Sequence, residues 1–224
     1  MIKYDLQMFG GNGAGGESLG NGGGGSVNVQ SEQDVWSARH NPKNADFVDD
    51  INSGVAAIEN DFPGLMRNVE TVNAATLGGA DKQNTLGFYS SANKSISIND
   101  NYTNVEKMNR VYDQAVKDGY HPSRGNKSGV EAVSIHETGH ALTDYVAPRM
   151  GERTLEGASK KIVNDAYKAS KGRGGTKAWA GKISRYAQES YAECVAEAVA
   201  DHYCNGSKAS SQSKAIMNEL FKYR

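Results

Sequence analysis

The sequence predicts an α+β fold, in which a small, mostly antiparallel sheet is accompanied by several helices and preceded by a glycine-rich tail. Three features of the sequence predict it. Apolar and polar residues alternate between about 85 and 99, which is typical of strands. Apolar residues recur at intervals of three and four along much of the remaining chain, which is typical of helices, and ten glycines lie between Gly10 and Gly25. A chain of 224 residues is long enough for one domain with a hydrophobic core.

The glycine-rich tail, residues 1 to about 30, is predicted to be disordered, because glycines with small polar neighbours offer almost no apolar surface to bury. The folded domain is therefore expected over residues 31–224. Residues 3–11, KYDLQMFGG, resemble the opening of proteins encoded in phages and prophages of Gram-positive bacteria. This resemblance covers the opening alone, and it implies an origin rather than a chemistry.

The first half of the domain is predicted to hold a helix followed by the sheet. From Asp46 apolar residues recur at helical spacing, and the Pro-Gly pair at 63–64 is expected to end that helix. Residues 66–76 and 85–99 are predicted to be extended. Within the second of these segments, residues 92–94 separate two alternating runs and are predicted to form the turn of a hairpin. A three-stranded, mostly antiparallel sheet is the result.

The second half of the domain is predicted to be helical. The expected helices cover about residues 104–117, 130–146, 152–171, 188–204 and 208–222. A glycine-rich segment at 171–175 is expected to separate the third of them from the fourth. The second is the candidate active-site helix, the fourth the candidate ligand helix, and the last is expected to brace them.

The overall charge gives no reason to expect a polyanionic partner. The chain has 25 Lys and Arg against 26 Asp and Glu, a formal net charge of -1. Neither nucleic acid nor an anionic membrane is therefore an expected partner. The N-terminus lacks the apolar core of a signal peptide, and no apolar run is long enough to span a bilayer. The expected location is the cytoplasm of a bacterial host or a virion.

One short segment carries the strongest chemical signal. His136-Glu137-Thr138-Gly139-His140 is an H-E-x-x-H motif, and in a helix its four-residue spacing places both imidazoles on one face. Such a pair suits a shared Zn²⁺, with Glu137 beside the metal as general base and proton carrier. The surrounding side chains are uncharged, as a buried helix requires. Gly139 is expected to mark a close approach of another backbone or of the metal site itself.

A catalytic zinc needs a third protein ligand, and a later helix supplies three candidates. Glu189, Glu193 and Glu197 follow one another at four-residue steps, so all three share one helix face. Spacing alone does not choose among them. The remaining histidines have no partner at metal-binding spacing and are predicted to be ordinary polar positions; they are His40, His121 and His202.

The pattern around these glutamates resembles that of a known family. Tyr186 stands seven residues before Glu193, which opens a Glu-x-x-Ala-Glu-Ala pattern ending at Ala198. Together with the H-E-x-x-H motif, this segment resembles the zinc-binding helix of the anthrax-lethal-factor-like peptidases, a branch of the zincins with gluzincin-type ligands. The resemblance covers about residues 130–204, with weaker agreement in the preceding hairpin.

The resemblance implies both a zincin-like fold and the roles of three residues. Glu193 would be the third ligand, Tyr186 a hydrogen-bond donor to the oxyanion, and Glu197 the partner that orients a zinc-binding histidine. The chain departs from the family at Cys194 and Val195, where large aromatic residues are usual. That departure concerns the packing behind the helix and leaves the proposed ligands in place.

The expected function is zinc-dependent hydrolysis of peptide bonds in a peptide or protein substrate. One alternative is a non-catalytic, virion-associated or scaffold-like protein, in which zinc only braces the fold. A second alternative is a zinc hydrolase of non-peptide amides. Glu137 disfavours the scaffold, because a structural zinc site has no use for a carboxylate beside an open metal position. The phage-like opening suggests a phage structural protein as a further partner.

Overall fold

The structure is a computed structural model that describes residues 26–28, 37–38, 45–75 and 85–224. The described residues form a mixture of helices and a small sheet, which confirms the α+β class. Residues 1–25 lie outside the described part of the chain, so the disorder predicted for the glycine-rich tail stays a prediction. The domain boundary expected near residue 31 likewise stays a prediction.

A single mixed sheet contains all five strands of the described residues. The strands are β1 (Ser26–Asn28), β2 (Ser37–Ala38), β3 (Thr71–Ala75), β4 (Gly87–Ser90) and β5 (Ser95–Asn99). Their order is β2-β1-β3-β5-β4. Strands β3 and β5 run parallel, with Val72 opposite Ile96, and the other neighbouring pairs are antiparallel. Strand β4 therefore lies at one edge of the sheet.

The predicted hairpin is confirmed, whereas the predicted sheet is corrected in two respects. β4 and β5 pair in antiparallel fashion on either side of the turn at 92–94. The first extended segment starts later than expected, because Leu65–Asn68 forms a turn of 3-10 helix. After β3 the chain passes to the sheet edge and returns through β5, which makes β3 and β5 parallel. The sheet is therefore mixed, with three of its four neighbouring pairs antiparallel, and it has five strands in the described residues rather than the three predicted.

Seven α-helices occur in the described residues: α1 (Ala45–Glu59), α2 (Val105–Lys117), α3 (Gly129–Val146), α4 (Leu155–Ala169), α5 (Thr176–Ala180), α6 (Tyr191–Asn205) and α7 (Ser211–Leu220). Six of them confirm the helices predicted from apolar spacing. The short helix α5 was not predicted. Within the described part of the chain, no helix combines the length and the apolar character needed to cross a bilayer.

Helix α3 is central, and nearly all of its side chains are buried. Two glycines let its neighbours approach closely. A Cβ atom at Gly54 of α1 would lie 2.7 Å from the carbonyl oxygen of Glu131, and one at Gly139 would lie 3.1 Å from the Cα of Ala196 in α6. The close approach predicted at Gly139 is thus confirmed. It brings the backbones of α3 and α6 together at the level of the H-E-x-x-H motif.

The β4–β5 hairpin is fastened to α3 by a polar contact. The hydroxyl of Tyr89 in β4 donates a hydrogen bond of 2.6 Å to Oδ2 of Asp144, and Lys94 in the turn pairs with the same carboxylate. Asp144 is partly buried near the C-terminal end of α3. The edge of the sheet is therefore held against the helix that carries the motif.

Candidate metal centre

A capping serine fixes the start of each of the two helices that supply residues to the metal centre. Ser128 caps α3 by accepting a hydrogen bond from the backbone N–H of Glu131, and Ser190 caps α6 in the same way through Glu193, both at 3.0 Å. A serine at this position satisfies an N–H that has no partner within the helix. Glu193 is consequently in the first turn of α6, where its side chain reaches toward α3.

Three ligand atoms converge where α6 crosses α3. The Nε2 atoms of His136 and His140 lie 3.1 and 3.4 Å from Oε2 of Glu193. One ligand atom from each of the three residues lies within 4.8 Å of the others, and all three residues are buried. Two imidazoles and one carboxylate form a donor set that suits a divalent metal ion such as Zn²⁺. The structure thus brings together the three residues expected to hold the metal.

Glu197 lies one turn further along α6, behind His136. Its Oε1 is 2.9 Å from Nδ1 of His136, and its Oε2 accepts a hydrogen bond of 2.7 Å from the hydroxyl of Ser184. An ionised carboxylate only accepts hydrogen bonds, so a His136 ring that faces Glu197 through Nδ1 and Glu193 through Nε2 is protonated on both nitrogens in the absence of a metal. With a metal bound, Nε2 would give up its proton and act as the ligand atom, and Nδ1 would keep its proton toward Glu197. The contact has the form that the family resemblance implied for Glu197.

The third partner of Glu197 was not foreseen. Nδ1 of His121 lies 3.0 Å from Oε1 of Glu197, and both side chains are almost fully buried. The prediction that His121 is an ordinary polar position is therefore wrong. No pattern in the sequence pointed to it, because it lies 76 residues from Glu197 and outside both helices of the centre.

The ionisable groups of the centre shift one another's pKa values, and these shifts act against the effect of burial. Burial alone would lower the pKa of His136, but hydrogen bonds to Glu193 and Glu197 raise it to about 10. Burial would raise the pKa of Glu193, but His140 and His136 lower it to about 2. Burial lowers the pKa of His140 and outweighs the attraction of Glu193. The Glu193 carboxylate is thus ionised at neutral pH. A metal ion bound there would displace the proton on Nε2 of His136, the atom that faces this carboxylate.

Glu137 is buried beside the triad and makes a different set of contacts. Its Oε1 is buried without a hydrogen-bond partner among the described residues. The pKa of Glu137 is raised to about 8, mainly by burial; the charge of His136 opposes this increase, and the charges of Glu193 and Glu197 add to it. A carboxyl group with this pKa can take up and release a proton near neutral pH.

Tyr186 packs against the first histidine of the H-E-x-x-H motif. Its ring stacks on that of His136, with centroids 6.0 Å apart. The side chain is buried, and burial together with the charges of Glu193 and Glu137 raises the pKa of its hydroxyl, which therefore stays protonated. A protonated hydroxyl can donate a hydrogen bond to a bound molecule.

The remaining candidates lie away from the triad. Glu189 precedes α6 and is exposed, and it lines a cleft of about 400 Å³ together with Lys177 and Cys194. None of the three triad residues lines that cleft, so we treat it as separate from the metal centre. His202 lies in the last turn of α6, and His40 is outside the described residues.

No protein-family model, no curated protein and no solved structure matches the chain. The resemblance to lethal-factor-like peptidases and the phage-like opening therefore stay predictions.

Proposed function

We propose that this protein is a zinc-dependent peptidase with a zincin-type centre. One observation carries the proposal: a buried His-His-Glu cluster has a second buried carboxylate, Glu137 Oε1, beside it with no partner among the described residues. A purely structural metal site requires only the cluster. An unpaired buried carboxylate next to it is costly to stability and is the group that hydrolysis requires.

His136, His140 and Glu193 would hold the zinc ion, and Glu197 would keep the His136 ring in place. Bound there, zinc would supply Lewis acidity toward a carbonyl group and toward water. Glu137 would accept the proton of the attacking water and return it to the leaving amine. Tyr186, with its protonated hydroxyl, would donate a hydrogen bond to the oxygen on which negative charge develops.

The edge of the sheet offers a place for the substrate. β4 is the last strand of the sheet in the described residues, so one of its sides is unpaired there. It also passes directly beside the proposed general base, since a Cβ atom at Gly87 would lie 3.1 Å from Oε1 of Glu137. An extended peptide that paired with β4 would run past Glu137, held by backbone hydrogen bonds. This placement favours a peptide over a small amide as substrate.

A peptide-library digest tests the proposal. The zinc-loaded protein should cleave peptides at a preferred position, a chelator should abolish cleavage, and added zinc should restore it. Cleavage products are identified by mass spectrometry. Tightly bound zinc without any hydrolysis would support the scaffold-like alternative. Hydrolysis of small amides but not of peptides would support the second alternative.

A further inference from the structure

His121 belongs to the loop at residues 118–128, and its side chain is completely buried next to the metal centre. Its side chain has no exposed surface, and its Nδ1 lies 3.0 Å from Oε1 of Glu197. Because an ionised Glu197 only accepts hydrogen bonds, Nδ1 of His121 is the donor. His121 makes no hydrogen bond to any of the three triad ligands, and its ring lies edge-on to that of His136 with centroids 6.5 Å apart. Its polar contact with the centre is the one to Glu197.

The two oxygens of Glu197 lie against three polar side chains. Oε1 faces Nδ1 of His136 at 2.9 Å and Nδ1 of His121 at 3.0 Å, and Oε2 is bonded to the hydroxyl of Ser184. The carboxylate is therefore hydrogen-bonded by His121 and Ser184, and its Oε1 lies against the Nδ1 edge of the His136 ring. Without the donor at position 121, Oε1 would be free to turn and the His136 ring would lose a fixed support.

We propose that His121 is a positioning residue of the metal centre, which fixes the His136 ring by holding Glu197. The inference rests on the proposed metal site and adds to it a residue outside the two helices that carry the ligands. It predicts that metal affinity depends on a histidine that does not touch the metal.

The loop that carries His121 is itself fixed to the helices around it. Nε of Arg124 donates to Oδ1 of Asp113 in α2 at 2.8 Å, and the side chain of Asn205 in α6 donates to the carbonyl of Ser123 at 2.7 Å. A Cβ atom at Gly125 would lie 2.3 Å from the carbonyl oxygen of Cys204, so the loop lies directly on the end of α6. Because the loop is anchored to two helices, the position of His121 is fixed as well.

The same segment also supports Tyr186. The backbone N–H of Tyr186 donates to the carbonyl of Tyr120 at 3.1 Å, and that of Arg185 donates to the carbonyl of Gly119 at 2.9 Å. The rings of His121 and Tyr186 meet edge to face with centroids 5.4 Å apart. Residues 119–121 therefore set the positions of Glu197 and of Tyr186 together.

Two properties of His121 can be separated by substitution. Its ring stacks on Tyr112 with centroids 5.4 Å apart and planes 15° from parallel, and its Nδ1 donates to Glu197. His121→Phe keeps an aromatic ring but removes the donor. His121→Asn keeps a donor near the position of Nδ1 but removes the ring. A positioning role requires the donor, whereas a packing role requires the ring.

Zinc affinity, measured by competition with a chromophoric chelator, is the first readout. We expect His121→Phe to raise the zinc dissociation constant about 10-fold or more, and His121→Asn to restore most of the lost affinity. The Co²⁺ absorption spectrum should change in His121→Phe and return toward that of the wild type in His121→Asn. Thermal unfolding of each metal-free variant shows whether it is folded. His202→Phe, the same change at the far end of α6, should leave zinc affinity unchanged.

A double-mutant comparison tests whether His121 acts through Glu197. In a Glu197→Gln background, adding His121→Phe should change zinc affinity much less than it does in the wild type. Equal changes in the two backgrounds would overturn the inference, as would a folded His121→Phe protein with wild-type affinity. If His121→Phe does not fold, His121→Leu and His121→Asn provide a pair of similar shape, and equal affinities in that pair would also overturn it.

The failure of this inference differs from the failure of the proposed function. If the wild-type protein binds no zinc, the metal site itself is wrong. If the wild type binds zinc and the donor-free variants bind it equally well, the metal site stands and only the role of His121 is wrong.

Discussion

The two halves of the buried centre differ in how their carboxylates are paired. In the binding half, Glu193 and Glu197 both contact His136, and His121 and Ser184 hydrogen-bond to Glu197 from behind. In the reaction half, Oε1 of Glu137 is buried without a partner among the described residues.

The difference is informative because buried polar groups in folded proteins are nearly always hydrogen-bonded. Leaving one unpaired typically costs about 1–3 kcal/mol of stability, and more for a charged group. Paired carboxylates in the first half are what metal binding needs. The unpaired carboxylate oxygen in the second half is what a reacting group needs, because it leaves the group available to water or substrate. The predictions below test whether the two halves can be separated experimentally.

Glu137→Gln should have the largest effect on catalysis. Glutamine has nearly the same shape but cannot carry the proton, so activity on a cleavable peptide should fall on the order of 1000-fold. Zinc content should stay at the wild-type level, because Glu137 is not one of the three clustered ligands. Both are measured on one preparation, by peptide cleavage and by elemental mass spectrometry. Activity close to that of the wild type would remove Glu137 from the mechanism.

Tyr186→Phe should have the next largest effect. The ring packing against His136 is retained and only the hydroxyl is lost, so activity should fall on the order of 100-fold while zinc affinity is unchanged. The loss should appear mainly in kcat rather than in KM, because the hydrogen bond strengthens as charge develops on the oxygen. If Tyr186 were only a packing residue, kcat would remain at the wild-type value.

Gly87→Ala should affect the reaction half through geometry alone. The new methyl group would lie 2.9 Å from Cγ1 of Val133, 3.0 Å from Cγ of Glu137 and 3.1 Å from its Oε1, so both side chains must move by a few tenths of an ångström. We expect activity to fall about 10-fold, since larger displacements of reacting groups cost about 100-fold. Zinc content serves as the internal control and should be unchanged. Loss of zinc in this variant would mean that the two halves are not separable.

Asp113→Asn should have the smallest effect, on the support of the binding half. Arg124 lowers the pKa of Asp113 below its ordinary value of 3.8 by hydrogen bonding to it. Such a carboxylate stabilises the folded state above its unfolded pKa and loses that contribution as pH falls through its folded pKa. The pair is partly exposed, so the variant should lose about 0.2–1 kcal/mol in urea unfolding at pH 7. A difference from wild type that grows as the pH falls would contradict this origin.

Much of the fold follows from the sequence because its signals are local. The helices predicted from apolar spacing are present, as are the β4–β5 hairpin and the close contact at Gly139. The parallel pairing of β3 and β5 could not be read locally, because it depends on which strand occupies the middle of the sheet. Helix α5 was missed because its five residues are too few to show a helical period.

Only those residues of the metal centre that follow from motif spacing could be predicted from the sequence. The H-E-x-x-H spacing places His136 and His140 together, but spacing left three glutamates open. In the structure Glu189 lies before α6 begins, Glu193 faces the histidines from the first turn, and Glu197 contacts His136 from behind. His121 was missed, because nothing in its local sequence distinguishes a buried support from an ordinary polar position.

The most direct test of the account is the zinc content of the purified protein beside two matched variants. Glu193→Ala removes the proposed ligand, and Glu189→Ala removes an exposed glutamate four residues earlier. We predict about one zinc per chain in the wild type and in Glu189→Ala, and much less in Glu193→Ala, whose zinc affinity should fall more than about 100-fold. Little zinc in the wild type after incubation with the metal, or equal zinc in all three proteins, would contradict the proposed centre.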